Sequence, residues 1–172
     1  MRQHTGDRSD VRQAVEYDLV ELVRLQASLF ENVVGDFFNP VSVSVSDLAS
    51  TDEEWLDALA VVLKEQLTAD AVRVLVVDGD DGGLAACGIG VIEQRLPGPH
   101  LRNGRIGHVT GMVTDSQYRC HGHSQSIMRG LLDWFREREV ARVDLYASSE
   151  GEPLCRELGF VGHPTTALRQ LL

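Results

Sequence analysis

The sequence predicts a mixed α/β sandwich: one central, mixed but mostly antiparallel sheet flanked by about four helices. Three observations carry this prediction. β-Rich runs and stretches of helical period follow one another in the order β-α-α-β-β-β-α-β-α-β, which suits helical layers packed on a single sheet. Two of those runs are joined by a Gly/Asp-rich turn and read as an antiparallel hairpin. Beyond them a strand, a turn of small residues and a long amphipathic helix follow in close succession. With 172 residues, 43% of them apolar, the chain can bury one sizeable core, and residues 1–172 are expected to form a single domain.

Residues 11–15 read as a short strand, and residues 17–30 as a helix in which Leu19, Leu22, Val23 and Phe30 recur at helical spacing. Residues 31–50, with Gly35, Pro40 and alternating valine and serine, read as a loop. Thr51 can cap a second helix running to about residue 67, with Glu54 reaching back to complete the capping box. The runs 72–77 and 84–92 form the hairpin across Gly79, Gly82 and Gly83. After a polar loop at 96–104, a strand covers about 105–114 and a helix starts near Gly122. In that helix Ile127, Met128, Leu131, Leu132 and Phe135 make an apolar stripe for core packing, while Arg129, Asp133, Arg136 and Glu137 face outward. Residues 140–147 read as the next strand, 152–158 as a short helix ended by Gly159, and 161–171 as a last extended segment.

Composition narrows the function. Net charge is −10, and residues 1–90 carry 6 basic and 17 acidic side chains against 10 and 9 in residues 91–172. The first half repels polyanions, so nucleic acid is not an expected partner. The same surface can attract a cationic substrate or serve only solubility. No apolar run approaches the roughly 20 residues that cross a bilayer, and the first ten residues lack the apolar stretch of a signal peptide. No membrane partner and a cytoplasmic location are therefore expected. The cysteines, Cys87, Cys120 and Cys155, are scattered and predict reduced thiols rather than disulfides. Cys120, His121 and His123 lack the spaced pairs of a structural zinc site, and no metal is expected.

The chemistry sits in the run Met112, Val113, Thr114, then Arg119, Cys120, His121, Gly122, His123, Ser124 and Gln125. A strand passes through a turn into a helix whose first backbone N–H groups are unpaired, and small residues let a diphosphate approach those donors. Arg119 adds charge there, as does His121 when protonated. This stretch resembles the acyl-CoA-binding motif of the GNAT superfamily of N-acetyltransferases, Arg/Gln-x-x-Gly-x-Gly/Ala. Arg119, Gly122 and Ser124 occupy its three places, with serine where Gly or Ala is usual. Leu154, Cys155, Gly159 and Phe160 resemble the family's Leu-Tyr-x-x-x-Gly-Phe signature, and Val11 to Ala14 resemble its opening strand. The likeness covers nearly the whole chain and is strongest from about 105 to 161.

The resemblance implies acetyl-CoA, or another acyl-CoA, as co-substrate and an amine as acceptor. The backbone of Met112, Val113 and Thr114 would pair with the pantetheine arm. Residues 120–125 would cradle the pyrophosphate, and Ser148 or Ser149 would touch the cofactor from beyond the following strand. A homodimer through the last strand would also fit the family.

Amine acylation by a thioester needs a base, an oxyanion donor and an acid for the leaving thiolate. Where many members carry a tyrosine as acid, this chain has Cys155. Its thiol, with an ordinary pKa of about 8.5, can donate the proton, can take the acyl group covalently, or can be a small packed residue. For the base the candidates are His108, Asp144 and Tyr146; each also has a structural reading, as a satisfied histidine, a solvated carboxylate and a packed aromatic. The expected function is an N-acetyltransferase working by direct attack. The alternatives are a non-catalytic acyl-CoA-binding regulatory module that has lost the acid, and an interaction subunit that binds no cofactor.

Overall fold

The computed structural model describes residues 10–37, 54–170 and 172. Five strands form one sheet in the order β1-β2-β3-β4-β5: β1 Val11–Gln13, β2 Val72–Asp78, β3 Leu84–Gln94, β4 Arg105–Thr114 and β5 Arg142–Leu145. The first four are antiparallel neighbours, and β5 joins β4 in parallel. A parallel neighbour needs a crossover, and α3 His123–Glu137 supplies it. The helices α1 Leu19–Phe37 and α2 Glu54–Thr68 precede β2, and α4 Glu152–Glu157 follows β5. Among the described residues no helix is long and apolar enough to cross a membrane.

Alternation along the strands divides the core into two layers. Val74 and Val76 of β2 turn one way, towards Leu22 and Leu25 of α1 and Leu63 of α2. Leu75 and Val77 turn the other way, towards Ile127, Met128, Leu131, Trp134 and Phe135 of α3. The α3 stripe is thus buried as its spacing predicts, with Trp134 (4% exposed) added to it. Each such leucine or phenylalanine removed from water contributes about 1.5–3 kcal/mol, which makes the two helical layers the main force fixing the sheet. The predicted hairpin is present; Gly79 N–H donates to Gly83 O at 2.8 Å across its turn.

The larger differences from the sequence reading concern four elements. β1 ends at Gln13 rather than at residue 15, because a 3-10 turn, Glu16–Asp18, begins there and leaves Val15 54% exposed. α1 continues to Phe37, through part of the segment read as a loop. Phe30, Val33, Val34 and Phe37 prolong the helical spacing, and that periodicity outweighs Gly35. β5 spans four residues, not the eight of 140–147, because β4 pairs with it only from Ile106 to Val109. Finally, residues 161–170 are exposed and form no strand; the predicted last strand finds no ladder partner to take up its backbone groups. The rest of the predicted loop, residues 38–50, and the cap at Thr51 lie outside the described residues.

Candidate active site

β4 organises the site. Over Gly107, His108 and Val109 it is held on both sides, by β3 and by Val143, Asp144 and Leu145 of β5. β5 then stops at Leu145, so residues 110–114 keep β3 on one side and have no strand on the other among the described residues. The result is an open row of backbone donors and acceptors to which an extended, amide-bearing ligand can add as another strand would. Met112, Val113 and Thr114 lie on this edge.

A bulge sits where the strands part. The register runs Cys87↔Val113 and Ile89↔Thr110, so Gly88 of β3 faces two residues of β4, Gly111 and Met112. Gly111 has φ +59°, a conformation that costs glycine little and other residues more. Gln26 of α1, 4% exposed, donates its Nε2–H to Gly111 O at 2.8 Å and so fixes the bulge from the opposite layer. A methyl group on Gly111 would lie 2.8 Å from that nitrogen. Beside it Cys87 is wholly buried, and burial pushes its thiol up to about 12, which leaves it protonated and inert.

Below the open edge lies the turn into α3. Gly122 is the N-cap residue with φ +79°, and the first intrahelical bond of the turn is Ser126 N–H to Gly122 O at 3.1 Å. The N–H groups of His123, Ser124 and Gln125 therefore precede the hydrogen-bonded ladder, at the end where the helix dipole adds about half a positive charge. A Cβ on Gly122 would meet no atom within 4 Å, so the space beside these donors is open. An anionic diphosphate fits such a cradle. Arg119, Cys120 and His121 are exposed at its rim. Cys120 has φ +65°, unusual for a side-chain-bearing residue and without any sequence signal.

The loop is braced on three sides. Thr114 Oγ1 and Ser124 Oγ lie 3.0 Å apart, joining the end of β4 to the start of α3. Arg24 of α1 donates to Asp115 Oδ2 at 2.7 Å and holds that carboxyl below the usual range. Tyr118 Oη accepts Asp80 N–H at 2.8 Å from the β2–β3 turn. His121 is tied back into the same turn. Its Nδ1–H donates back to the carbonyls of Tyr118 and Arg119, at 3.0 and 2.8 Å, and its ring stacks on His123 at 5.8 Å between centroids.

Two of the three candidate bases, His108 and Asp144, lie on the opposite face of the sheet from α3. Val109, Val143, Leu145 and Ile92 belong to the α3 layer, so their neighbours His108, Asp144 and Glu93 turn away from it. His108 and Asp144 are register partners, one position before the strands part. His108 Nε2 lies 2.7 Å from Glu93 Oε2, Arg95 Nε lies 3.1 Å from Glu93 Oε1, and Arg142 Nε lies 3.1 Å from Asp144 Oδ1. Of these groups only Glu93 meets the imidazole directly; each of the two carboxylates carries its own arginine. Glu93 escaped the sequence reading because the strand was read as ending at residue 92, whereas β3 runs to Gln94; continued by two residues, the strand alternation was the signal that could have found it.

Tyr146 does not share a strand face with Asp144: β5 ends before it, and its side chain is 81% exposed. Ser148 Oγ accepts Gly151 N–H at 3.1 Å and so caps the entry to α4, while Ser149 lies exposed in the same turn. Cys155, on α4, is 8% exposed and packs in the α3 layer; burial raises its thiol above the ordinary value.

Comparison with known proteins agrees with this geometry. A family model described as the Acetyltransferase (GNAT) family matches residues 40–160. A curated relative, glucosamine 6-phosphate N-acetyltransferase 1 of Oryza sativa subsp. japonica, is 30% identical over 95 residues, 55% of this chain. The match spans only 56%, about half, of that relative's length. Among solved structures, a predicted acetyltransferase with acetyl-CoA from Clostridium acetobutylicum superposes with a TM-score of 0.74 at 18% identity, covering 93% of this chain and 94% of that one. The glucosamine-6-phosphate N-acetyltransferase of Arabidopsis thaliana gives 0.65 at 21% identity, covering 93% and 96%.

Proposed function

The chain belongs to the GNAT acetyltransferase family, and from that premise we propose that it transfers an acetyl group from acetyl-CoA to a primary amine by direct attack. The observation that carries this reading is the open edge of β4 at residues 110–114, joined at Thr114 to the start of α3 and its unpaired N–H groups by the 3.0 Å contact with Ser124. Acetyl-CoA supplies a thioester whose acyl carbon is electrophilic. Residues 112–114 would hold its amide-bearing arm, and the N–H groups of residues 123–125, with Arg119 at the rim, its pyrophosphate.

His108 is the base in this reading. It lies one register position before the open edge, on the face away from α3, and it takes the proton of the attacking amine. The amine nitrogen bonds to the acyl carbon, the carbon–sulfur bond breaks, and the sulfur leaves with the bonding pair and takes up a proton. Cys155 can supply that proton, since a thiol raised by burial stays protonated at neutral pH. Asp144 shares the face and, with Arg142, shapes the acceptor side. On that face each carboxylate, Glu93 and Asp144, is paired with an arginine. Glucosamine 6-phosphate, on which the relatives act by name, is the first acceptor to assay.

A ligand bound only by the native state raises the unfolding midpoint. Acetyl-CoA at about 100 times its Kd is expected to stabilise the protein by about 2.7 kcal/mol, with ATP as control, and glucosamine 6-phosphate or another amine is expected to release free CoA. Stabilisation without CoA release from any amine points instead to a non-catalytic acyl-CoA-binding module, a reading favoured by Cys155 being packed in the core. No stabilisation sinks both and leaves an interaction subunit.

A further inference from the structure

We propose that Glu93 is a positioning residue for His108: it fixes the imidazole in the Nε2–H tautomer and leaves Nδ1 as the atom that accepts the amine proton. The inference rests on the reading of His108 as base and deepens it.

The bond between the two side chains is short, 2.7 Å from His108 Nε2 to Glu93 Oε2. Its proton belongs to one of them, and the surroundings decide which. Arg95 donates to both oxygens of Glu93, Nε to Oε1 at 3.1 Å and Nη2 to Oε2 at 3.3 Å. Arg95 first, and His108 second, hold the Glu93 carboxyl below the usual range. An ionised carboxylate can only accept, so Nε2 carries the hydrogen and donates it. In a neutral imidazole the other nitrogen, Nδ1, then holds the lone pair.

The arrangement also suits the charge that develops. When Nδ1 takes the amine proton the ring becomes an imidazolium, and Glu93 lies against it to balance the new charge. Asp144, the register partner of His108 on β5, is the next carboxylate, and Arg142 is paired to it. The charged groups on this face are thus Glu93, in contact with the ring, its partner Arg95 just past the end of β3, and the Asp144–Arg142 pair of β5. A carboxylate that orients a base without touching the reacting atoms is a recurring device in enzymes. Here the strand pairing supplies it, because Glu93 pairs with Ile106 and so lies diagonally across the β3–β4 ladder from His108.

Two readouts test the inference on the full chain. Long-range nitrogen–proton NMR of the side chains, with the His108 signals assigned by their loss in His108→Gln, reports the tautomer. The expected result is Nε2–H in the wild-type protein and a mixture in Glu93→Gln, whose amide can either accept or donate. Steady-state kinetics with acetyl-CoA and glucosamine 6-phosphate report the consequence: kcat falls about ten- to a hundredfold in Glu93→Gln and Glu93→Ala, the scale of losing an orienting partner rather than the base itself, while the KM for acetyl-CoA holds. Both substitutions are on a half-exposed side chain, and unchanged unfolding midpoints would certify the fold. An unaltered tautomer in Glu93→Gln, or a wild-type kcat in both variants, overturns the proposal. If the wild type releases no CoA but its tautomer responds to Glu93, the orienting pair stands and the acetyl-transfer reading is the part that fails.

Discussion

Arg12 shows how one side chain can lock the start of the fold. Its Nη1 and Nη2 grip the two oxygens of Asp18 at 2.8 Å each, and Nε and Nη2 reach Asp78 at 3.0 and 2.7 Å. Asp18 is 5% exposed and also accepts Val15 N–H, at 2.8 Å; the hydrogen bonds from Arg12 are the main reason its carboxyl sits below the usual range. Arg12→Ala would strand that carboxylate. The expected loss is about 2 kcal/mol, less than the roughly 3–5 of a fully buried pair, because the arginine itself is 37% exposed. A carboxyl with a depressed folded-state pKa stabilises above its unfolded pKa, and that stability is lost as pH falls through the folded value. The gap between wild type and Arg12→Ala in urea unfolding should therefore be full at pH 7 and close below about pH 4; a gap constant to about pH 2 would refute the assignment. At this scale the sequence was a partial guide. His108, Asp144 and the run from Met112 to Gln125 could be named as candidates from residue type and spacing alone, whereas Glu93, Gln26 and Arg24 reach partners 15, 85 and 91 residues away.

Elements inherit this difference between local and distant information. The turn into α3 was legible because its small residues and the stripe behind them are local, and its donors follow from helix geometry alone. The same locality makes it testable. Ser124 is the second residue of α3, where an acidic side chain favours the helix by about 0.3–1 kcal/mol but opposes a pyrophosphate. Ser124→Asp is thus expected to hold or raise the unfolding midpoint while weakening acetyl-CoA at least about tenfold, or about 1.4 kcal/mol, in calorimetric titration. Ser124→Ala, lacking only the bond to Thr114, should still bind. Equal affinity for acetyl-CoA in wild type and Ser124→Asp would place the anion elsewhere. The shortness of β5 and the absence of a strand at 161–170 were not legible, because a strand's extent is set by the partner beside it and not by its own β-rich residues.

At the scale of the whole molecule the question is whether two hydrophobic layers behave as one body. They meet in the same strands: Val74 and Val76 serve the α1–α2 layer, while Leu75 and Val77, between and beyond them, serve the α3 layer. Neither layer can lose its helices without exposing one face of strands that the other still needs, so the sheet couples them. The site depends on this coupling, since Gln26 of α1 holds the bulge on β4 while the start of α3 lies on the other side of the sheet. Leu22→Ala on α1 and Leu131→Ala on α3 each empty a fully buried position, and each is expected to cost about 2–5 kcal/mol. The decisive reading is the form of unfolding rather than its cost. If the described residues form one cooperative unit, either substitution lowers a single transition, and far-UV dichroism, calorimetry and the fluorescence of Trp134 in the α3 layer, read in a Trp55→Phe background that silences the tryptophan of α2, report the same midpoint. If instead Leu22→Ala melts the α1–α2 layer while the Trp134 signal keeps its wild-type midpoint, the sheet does not transmit between its faces, and the hold of Gln26 on the bulge could not link them.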